Sequence, residues 1–258
     1  MTDGQASAPA PGPAPFAHPP ATLRVWVGSV LFTAWLYLSM AVLATLAAPL
    51  LLASRATAWR LVRLWVRGAV GGLRLLCGVS VEVRGREHMP AGGALVAMKH
   101  QSMLDTVAPL DVLADPAYVL KRELMRLPFF GWWTGKLDML PIDREGGSNT
   151  LRGMVRGARD RLADGRQVVI FPEGTRAEPG SPPDYKPGVA GLYRELGAPC
   201  TPVATNSGAH WPPHGFLRYP GRVVYEFLPA IPAGLKRASF MAVLEDRIEE
   251  ASARLLRE

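Results

Sequence analysis

The stretch KHQSMLD places His100 five residues ahead of Asp105, directly after the apolar run ALVAM. An imidazole and a carboxylate are the parts of a general base and the group that orients it. On a continuous α-helix a five-residue step turns about 140°, which would put the two on different faces. A strand-to-helix bend between them removes that obstacle. Ser102 is a natural N-cap for a helix continuing through Leu113, and Asp105 then falls at N3, where a carboxylate reaches back toward the cap. His100, in the preceding turn, would meet that carboxylate through one ring nitrogen and keep the other as a proton acceptor. The same residues also fit a purely structural arrangement, in which Asp105 only caps and His100 only occupies a turn.

The chain offers no evident nucleophile of its own. As an N-cap, Ser102 is committed to backbone N–H groups, and no GxSxG elbow occurs. A base without a nucleophile suits activation of a hydroxyl carried by a substrate, and hence direct group transfer between two bound substrates.

A second candidate group is FPEGTR, residues 171 to 176, after the apolar run QVVIF. Pro172 would end strand pairing and Gly174 would permit close backbone approach. Thr175 and Arg176 donate hydrogen bonds, and an arginine fork suits phosphate. Glu173 would orient an arginine or accept from a ligand hydroxyl. Arg144, after MLPID, is a further cation for the same anion. An ordinary surface turn with an incidental ion pair is the alternative for each.

Other chemistries find little support. There are two cysteines, Cys77 and Cys200, in no metal-like spacing, and both read as buried, reduced thiols. His210 and His214 stand four apart, but Pro212-Pro213 between them forbids the helix such a metal pair needs. GxGxxG and GxxxxGK[ST] are both missing, so a nucleotide-phosphate loop is not expected. The net charge of +7 asks for an anionic partner. The arginines cluster beside an apolar segment, which favours phospholipid over nucleic acid.

The elements that must position these residues alternate. Short apolar runs occur at VSVEV, GALVAM, AYVL, MLPI, QVVIF, TPVAT and RVVYEFL, with helical patterns at MLDTVAPLDVLAD, NTLRGMVRGARDRLADG, PGVAGLYRELGA and FMAVLEDRIEEASARLLRE. This order predicts an α/β domain over residues 77–258, a largely parallel or mixed sheet flanked by helices. In such sheets ligands sit at the C-terminal strand ends. GALVAMK, MLPI and QVVIF end at His100, at Asp143-Arg144 and at Pro172, so parallel strands would gather them at one edge.

The first part of the chain differs. Residues 1–22, rich in Ala and Pro, predict a disordered tail. From Val25 to Ser54 no residue is charged, a run longer than the ~20 needed to cross a bilayer. Pro49 makes a hairpin that only dips into the membrane the alternative to a full span. Arg55, Arg60, Arg63, Arg67 and Arg74 follow, interleaved with Trp and Leu as in a helix lying among headgroups. Residues 23–76 thus read as membrane-anchor helices. The arginine excess would leave the rest of the chain on the cytoplasmic side, and the Ala/Arg/Gly-rich composition suggests a bacterial inner membrane.

Four blocks in this order resemble the lysophosphatidic acid acyltransferase family (1-acyl-sn-glycerol-3-phosphate O-acyltransferases) of the glycerolipid acyltransferases: HQSMLD, MLPIDR ending at Arg144, FPEGTR, and APCTPVATNSG around Pro202. KRELMRLPFFGWW, residues 121 to 133, is also similar to members, and the likeness runs from about Val79 to Pro232. The resemblance implies that His100 deprotonates the sn-2 hydroxyl of lysophosphatidic acid and that Asp105 supports it. The alkoxide would attack the thioester of acyl-CoA or acyl-carrier protein to give phosphatidic acid. Arg144, Glu173, Gly174, Thr175 and Arg176 would hold the glycerol phosphate, with no metal or redox cofactor. Lys99 stands where many members carry asparagine, and would add positive potential for the phosphate. Trp132 and Trp133 would line an acyl channel, sit at the bilayer interface or pack in the core. Relatives with the same motifs acylate other lysolipids, so a lyso-aminolipid acceptor is the alternative. A non-catalytic lipid-binding protein is the alternative from another class.

Overall fold

The computed structural model describes residues 16–127, 130–143 and 147–258. Its strands are β1 (Val79–Arg84), β2 (Ala94–Met98), β3 (Pro116–Lys121), β4 (Leu140–Ile142), β5 (Gln167–Ile170), β6 (Cys200–Thr205) and β7 (Gly221–Phe227). Each falls on one of the predicted apolar runs. They form one seven-stranded sheet in the order β1-β7-β6-β2-β5-β3-β4. Neighbours are parallel except β6 and β7, so β1 and β7 run against the other strands.

The helices are α1 (Leu23–Leu46), α2 (Arg55–Cys77), α3 (Pro109–Val112), α4 (Phe130–Lys136), α5 (Gly147–Ala163), α6 (Gly188–Leu196), α7 (Ser207–His210) and α8 (Arg237–Leu255). Side chains alternate across the central strands, and both faces are covered. Val96, Met98, Val169 and Val203 point into a core shared with Ala58, Ala69 and Leu73 of α2. Leu95, Ala97, Val168 and Ile170 point into the opposite core, against α5, α6 and α8. Burial on both faces is why these strands read as continuous apolar runs.

The N-terminal helices form a hairpin on the α2 side. Phe32 and Leu36 of α1 are buried with α2 and the sheet in one core. Gly28 lets the helices cross closely, since a Cβ there would lie 2.3 Å from the Leu76 carbonyl oxygen. The Trp65 indole donates to Ser39 Oγ at 3.2 Å. Gly78, at φ 70°, ends α2 and turns the chain into β1. Residues 23–76 are therefore packed onto the sheet rather than held apart from it.

Three of the α2 arginines have partners within the protein. Arg55 pairs with Asp115 at 2.8 Å and Arg67 with Asp111 at 2.9 Å. Arg63 donates to the carbonyls of Leu110, Leu113 and Ala114, satisfying the open end of α3. The described part of the predicted tail, residues 16–22, also has partners on the domain. The Phe16 N–H donates to the Pro179 carbonyl at 3.1 Å, and the His18 ring stacks on Tyr219 at 4.7 Å. These partners, distant in sequence, hold a segment whose composition alone argues against a core.

Candidate active site

β2 carries the chain to the C-terminal edge of the sheet, where the Lys99 N–H still pairs with the Val203 carbonyl at 2.9 Å. The backbone then bends. A 3-10 turn, Met103–Thr106, follows, capped by Ser102, whose Oγ accepts from the Leu104 N–H at 3.1 Å. The predicted helix through Leu113 does not continue. Pro109 has no N–H for the Asp105 carbonyl, so a new short helix, α3, begins there.

The bend brings the two predicted residues together. His100 Nδ1 lies 3.1 Å from Asp105 Oδ2. The same oxygen accepts from the backbone N–H groups of Gln101 at 2.7 Å and Ser102 at 2.8 Å. Oδ1 accepts from the Tyr225 hydroxyl at 2.9 Å. Asp105 is fully buried, and these donors compensate its charge. With Nδ1–H directed at the carboxylate, the free lone pair of the ring is on Nε2. Among the described residues Nε2 has no hydrogen-bond partner. The imidazole also stacks on Phe171, with centroids 4.0 Å apart and planes at 20°.

Phe171 belongs to FPEGTR, which packs against the His100–Asp105 turn. Gly174 adopts φ 69°, the left-handed region that favours glycine, and its N–H closes a turn on the Phe171 carbonyl at 3.0 Å. The Ala177 N–H then donates to the His100 carbonyl at 2.8 Å. Thr175 and Arg176 are exposed on this turn. Arg176 Nη1 donates to the Pro213 carbonyl at 3.1 Å.

Glu173 faces the other way. It is buried, and its Oε1 accepts from Lys99 Nζ at 2.8 Å. Its Oε2 lies 3.5 Å from the His100 N–H. Burial raises the Glu173 pKa, and the Lys99 ammonium counters part of that rise. Lys99 is buried as well and also donates to Glu249 Oε1 of α8 at 2.7 Å. Its charge is thus spent under the turn rather than offered to a bound phosphate. Tyr185 donates to the same Glu249 oxygen at 2.9 Å.

Arg144 lies outside the described residues. β4, which leads to it, runs parallel to β3 and ends three strands from β2, about 14 Å away at ordinary strand spacing. Trp132 is exposed, while Trp133 packs against the core shared with α2.

Residues 80–206 match the Acyltransferase family. A 1-acyl-sn-glycerol-3-phosphate acyltransferase of Pseudomonas aeruginosa is 35% identical over 188 residues, spanning 73% of this chain and 73% of that protein. The chain belongs to the 1-acyl-sn-glycerol-3-phosphate acyltransferase family. Another relative, 1-acyl-sn-glycerol-3-phosphate acyltransferase alpha of Bos taurus, is 29% identical over 189 residues, 72% of this chain and 66% of that protein. The crystal structure of the 1-acyl-sn-glycerophosphate acyltransferase of Thermotoga maritima shares the fold, with a TM-score of 0.70 at 21% identity, covering 88% of this chain and 97% of that one. The protein is an acyltransferase with a mixed α/β fold.

In this acyltransferase the sequence reading missed Tyr225, Phe171 and Glu249 as partners of the site, and gave Lys99 a different task. A signal for Tyr225 was present. In RVVYEFL the two-residue period puts it on one face with Val223 and Phe227, and a phenol on a buried face needs an acceptor. Lys121 was also passed over. It is exposed at the C-terminal end of β3, beside β5, and so adds a cation at the edge that carries FPEGTR.

Proposed function

We propose that this chain moves a fatty acyl group from acyl-CoA or acyl-carrier protein to the sn-2 hydroxyl of lysophosphatidic acid, giving phosphatidic acid. The observation that carries the proposal is the His100–Asp105 contact at 3.1 Å, with the second ring nitrogen left without a partner among the described residues. His100 Nε2 takes the proton of the acceptor hydroxyl as its oxygen attacks the thioester carbonyl. A C–O ester bond forms, the C–S bond breaks, and the proton passes to the departing thiolate. No electron changes hands and a thiolate leaves readily, so the chemistry calls for neither a metal nor a redox group.

Asp105 holds the ring and stabilises the imidazolium that forms. The stack on Phe171 limits ring rotation. Arg176 and Thr175, with Arg144, are assigned to the acceptor phosphate, because an arginine fork matches phosphate oxygens. Glu173 and Gly174 are assigned a shaping role. One ties the turn to Lys99, and the other supplies the bend that presents Thr175 and Arg176.

The helix α1 supports a membrane location. It is long and apolar enough to cross a bilayer. One flank is packed on α2, while Leu23, Val30, Leu31, Leu38 and Leu46 stay exposed. We assign residues 23–76 to docking on the bilayer, with the apolar flank of the hairpin dipped into it. Acyl thioesters are cytosolic, so the cytoplasmic face of a bacterial inner membrane is the assigned site.

The test is an assay of the purified protein with acyl-CoA or acyl-carrier protein and a panel of lysolipids, with products identified by mass spectrometry. Acylation of lysophosphatidic acid supports the proposal. Acylation confined to phosphate-free lysolipids would overturn the acceptor assignment.

A further inference from the structure

The loop that precedes β7 ends in an arginine that the chemistry above leaves unused. Arg218 is 5% exposed. Its backbone N–H donates to Ser29 Oγ at 2.8 Å, which fastens the loop to α1. Its guanidinium carbon lies 4.5 Å from the Trp211 ring centroid, 5.5 Å from that of Phe216 and 5.6 Å from that of Phe32. Nη1 donates to the Phe216 carbonyl, and Nε is buried without a partner. Among the described residues no carboxylate pairs with it. The equally buried Arg166 shows the contrast, with Asp138 at 2.9 Å and Asp115 at 3.2 Å.

A buried guanidinium without a counter-charge is unfavourable, and ring faces offset only part of its lost hydration. Burial indeed lowers the pKa of Arg218, although an arginine does not readily surrender its proton. What is missing is an anion. The surroundings say where it would come from. Phe216 is 39% exposed and lies 6.3 Å from Trp26, itself 50% exposed on the apolar flank of α1. An approaching ligand therefore meets an apolar surface first, which suits a lipid better than a free ion.

Resting on the membrane location proposed above, we propose that Arg218 binds the phosphate of an anionic bilayer lipid, at the seam between the α1–α2 hairpin and the Trp211–Arg218 loop. The same loop supplies the Pro213 carbonyl that accepts from Arg176. A lipid seated there would brace the loop that supports the FPEGTR turn.

The test uses the full chain and measures co-flotation with vesicles of phosphatidylcholine alone or with phosphatidylglycerol added. Arg218→Met is compared with Arg60→Met, which removes the same charge from an exposed position of α2. We expect phosphatidylglycerol to strengthen binding of the parent protein. Arg218→Met should lose about tenfold of that gain, the worth of a hydrogen bond to a charged group, and Arg60→Met should keep most of it. Arg218→Lys, which keeps the charge without the fork, should lie between. In lipid-free detergent Arg218→Met should melt no lower than the parent, because the charge it removes has no carboxylate partner among the described residues.

Equal losses in the two methionine variants, or none in Arg218→Met, would overturn the site while leaving the membrane location standing. A lower melting temperature for Arg218→Met would show that the rings alone satisfy the cation, and would overturn it too. Stabilisation of the parent but not of Arg218→Met by inorganic phosphate, without a change in lipid preference, would replace the lipid by a free anion. If the parent floats with neither vesicle, the membrane location itself falls.

Discussion

The hydroxyl of Tyr225 donates to Asp105 Oδ1 at 2.9 Å, joining residues 120 apart in the chain. It completes the surroundings of a carboxylate whose other oxygen serves His100 and two backbone N–H groups. Burial raises the pKa of this phenol, so it remains a donor across the working pH range. The reversed direction of β7 relative to β6 is what presents Tyr225 at this place.

Tyr225→Phe removes that donor and leaves one oxygen of a buried charge unpaired. Such a loss is worth about 1.5–3 kcal/mol. The expected result is a fall in kcat of about tenfold or more with little change in KM for the lysolipid, plus a lower melting temperature. An unchanged kcat in steady-state assays would reduce Tyr225 to a packing residue.

His100→Ala should lower turnover by about 10²–10⁴-fold, the usual share of a general base. Asp105→Asn should approach it, since an amide can keep the backbone bonds but carries no charge for the imidazolium. Circular dichroism and vesicle binding should stay as in the parent protein. Full turnover in His100→Ala would show that His100 is not the base.

Lys99→Met leaves Glu173 and Glu249 facing each other without their shared cation. Breaking a buried pair from one side costs about 3–5 kcal/mol, with the partial exposure of Glu249 placing this case toward the lower end. The double variant with Glu173→Gln should recover much of the loss, because the stranded charge is gone. Denaturant unfolding of the three proteins checks this. A single variant as stable as the parent would mean that the triad is solvated.

Acidification should destabilise the fold through two histidines. His210, whose Nδ1 lies 3.2 Å from the Tyr219 carbonyl oxygen, and His18, stacked on Tyr219, both have pKa values lowered from the ordinary 6.5 by burial. Around and just below that value the unfolded chain binds more protons than the folded one. Stability is therefore held above about pH 6.5 and lost as pH falls from there toward the folded-state values. Melting temperature against pH should show this slope for the parent protein and a shallower one for His210→Asn. Identical slopes would place the titration elsewhere.

Much of the molecule was legible before any coordinates. The central strands were readable because burial on both faces writes continuous apolar segments into the chain. The His100–Asp105 meeting was readable because its contacts are local: Ser102 caps a turn, and a carboxylate three residues later points back. The alternation of strands and helices likewise put QVVIF and GALVAM at a common edge.

What resisted reading depends on contacts distant in sequence. Arg55, Arg63 and Arg67 look like headgroup ligands in a linear pattern, yet they find Asp115, the α3 carbonyls and Asp111. Lys99 looks like a phosphate ligand until α8 and the FPEGTR turn close over it with two carboxylates. Periodicity records which side of an element is apolar. It does not record which partner a buried charge will meet, because that depends on where separate elements pack. Local caps and apolar runs thus belonged to the amino-acid order, while the pairing of Tyr225 with Asp105, and of Lys99 with Glu173 and Glu249, arose only on packing.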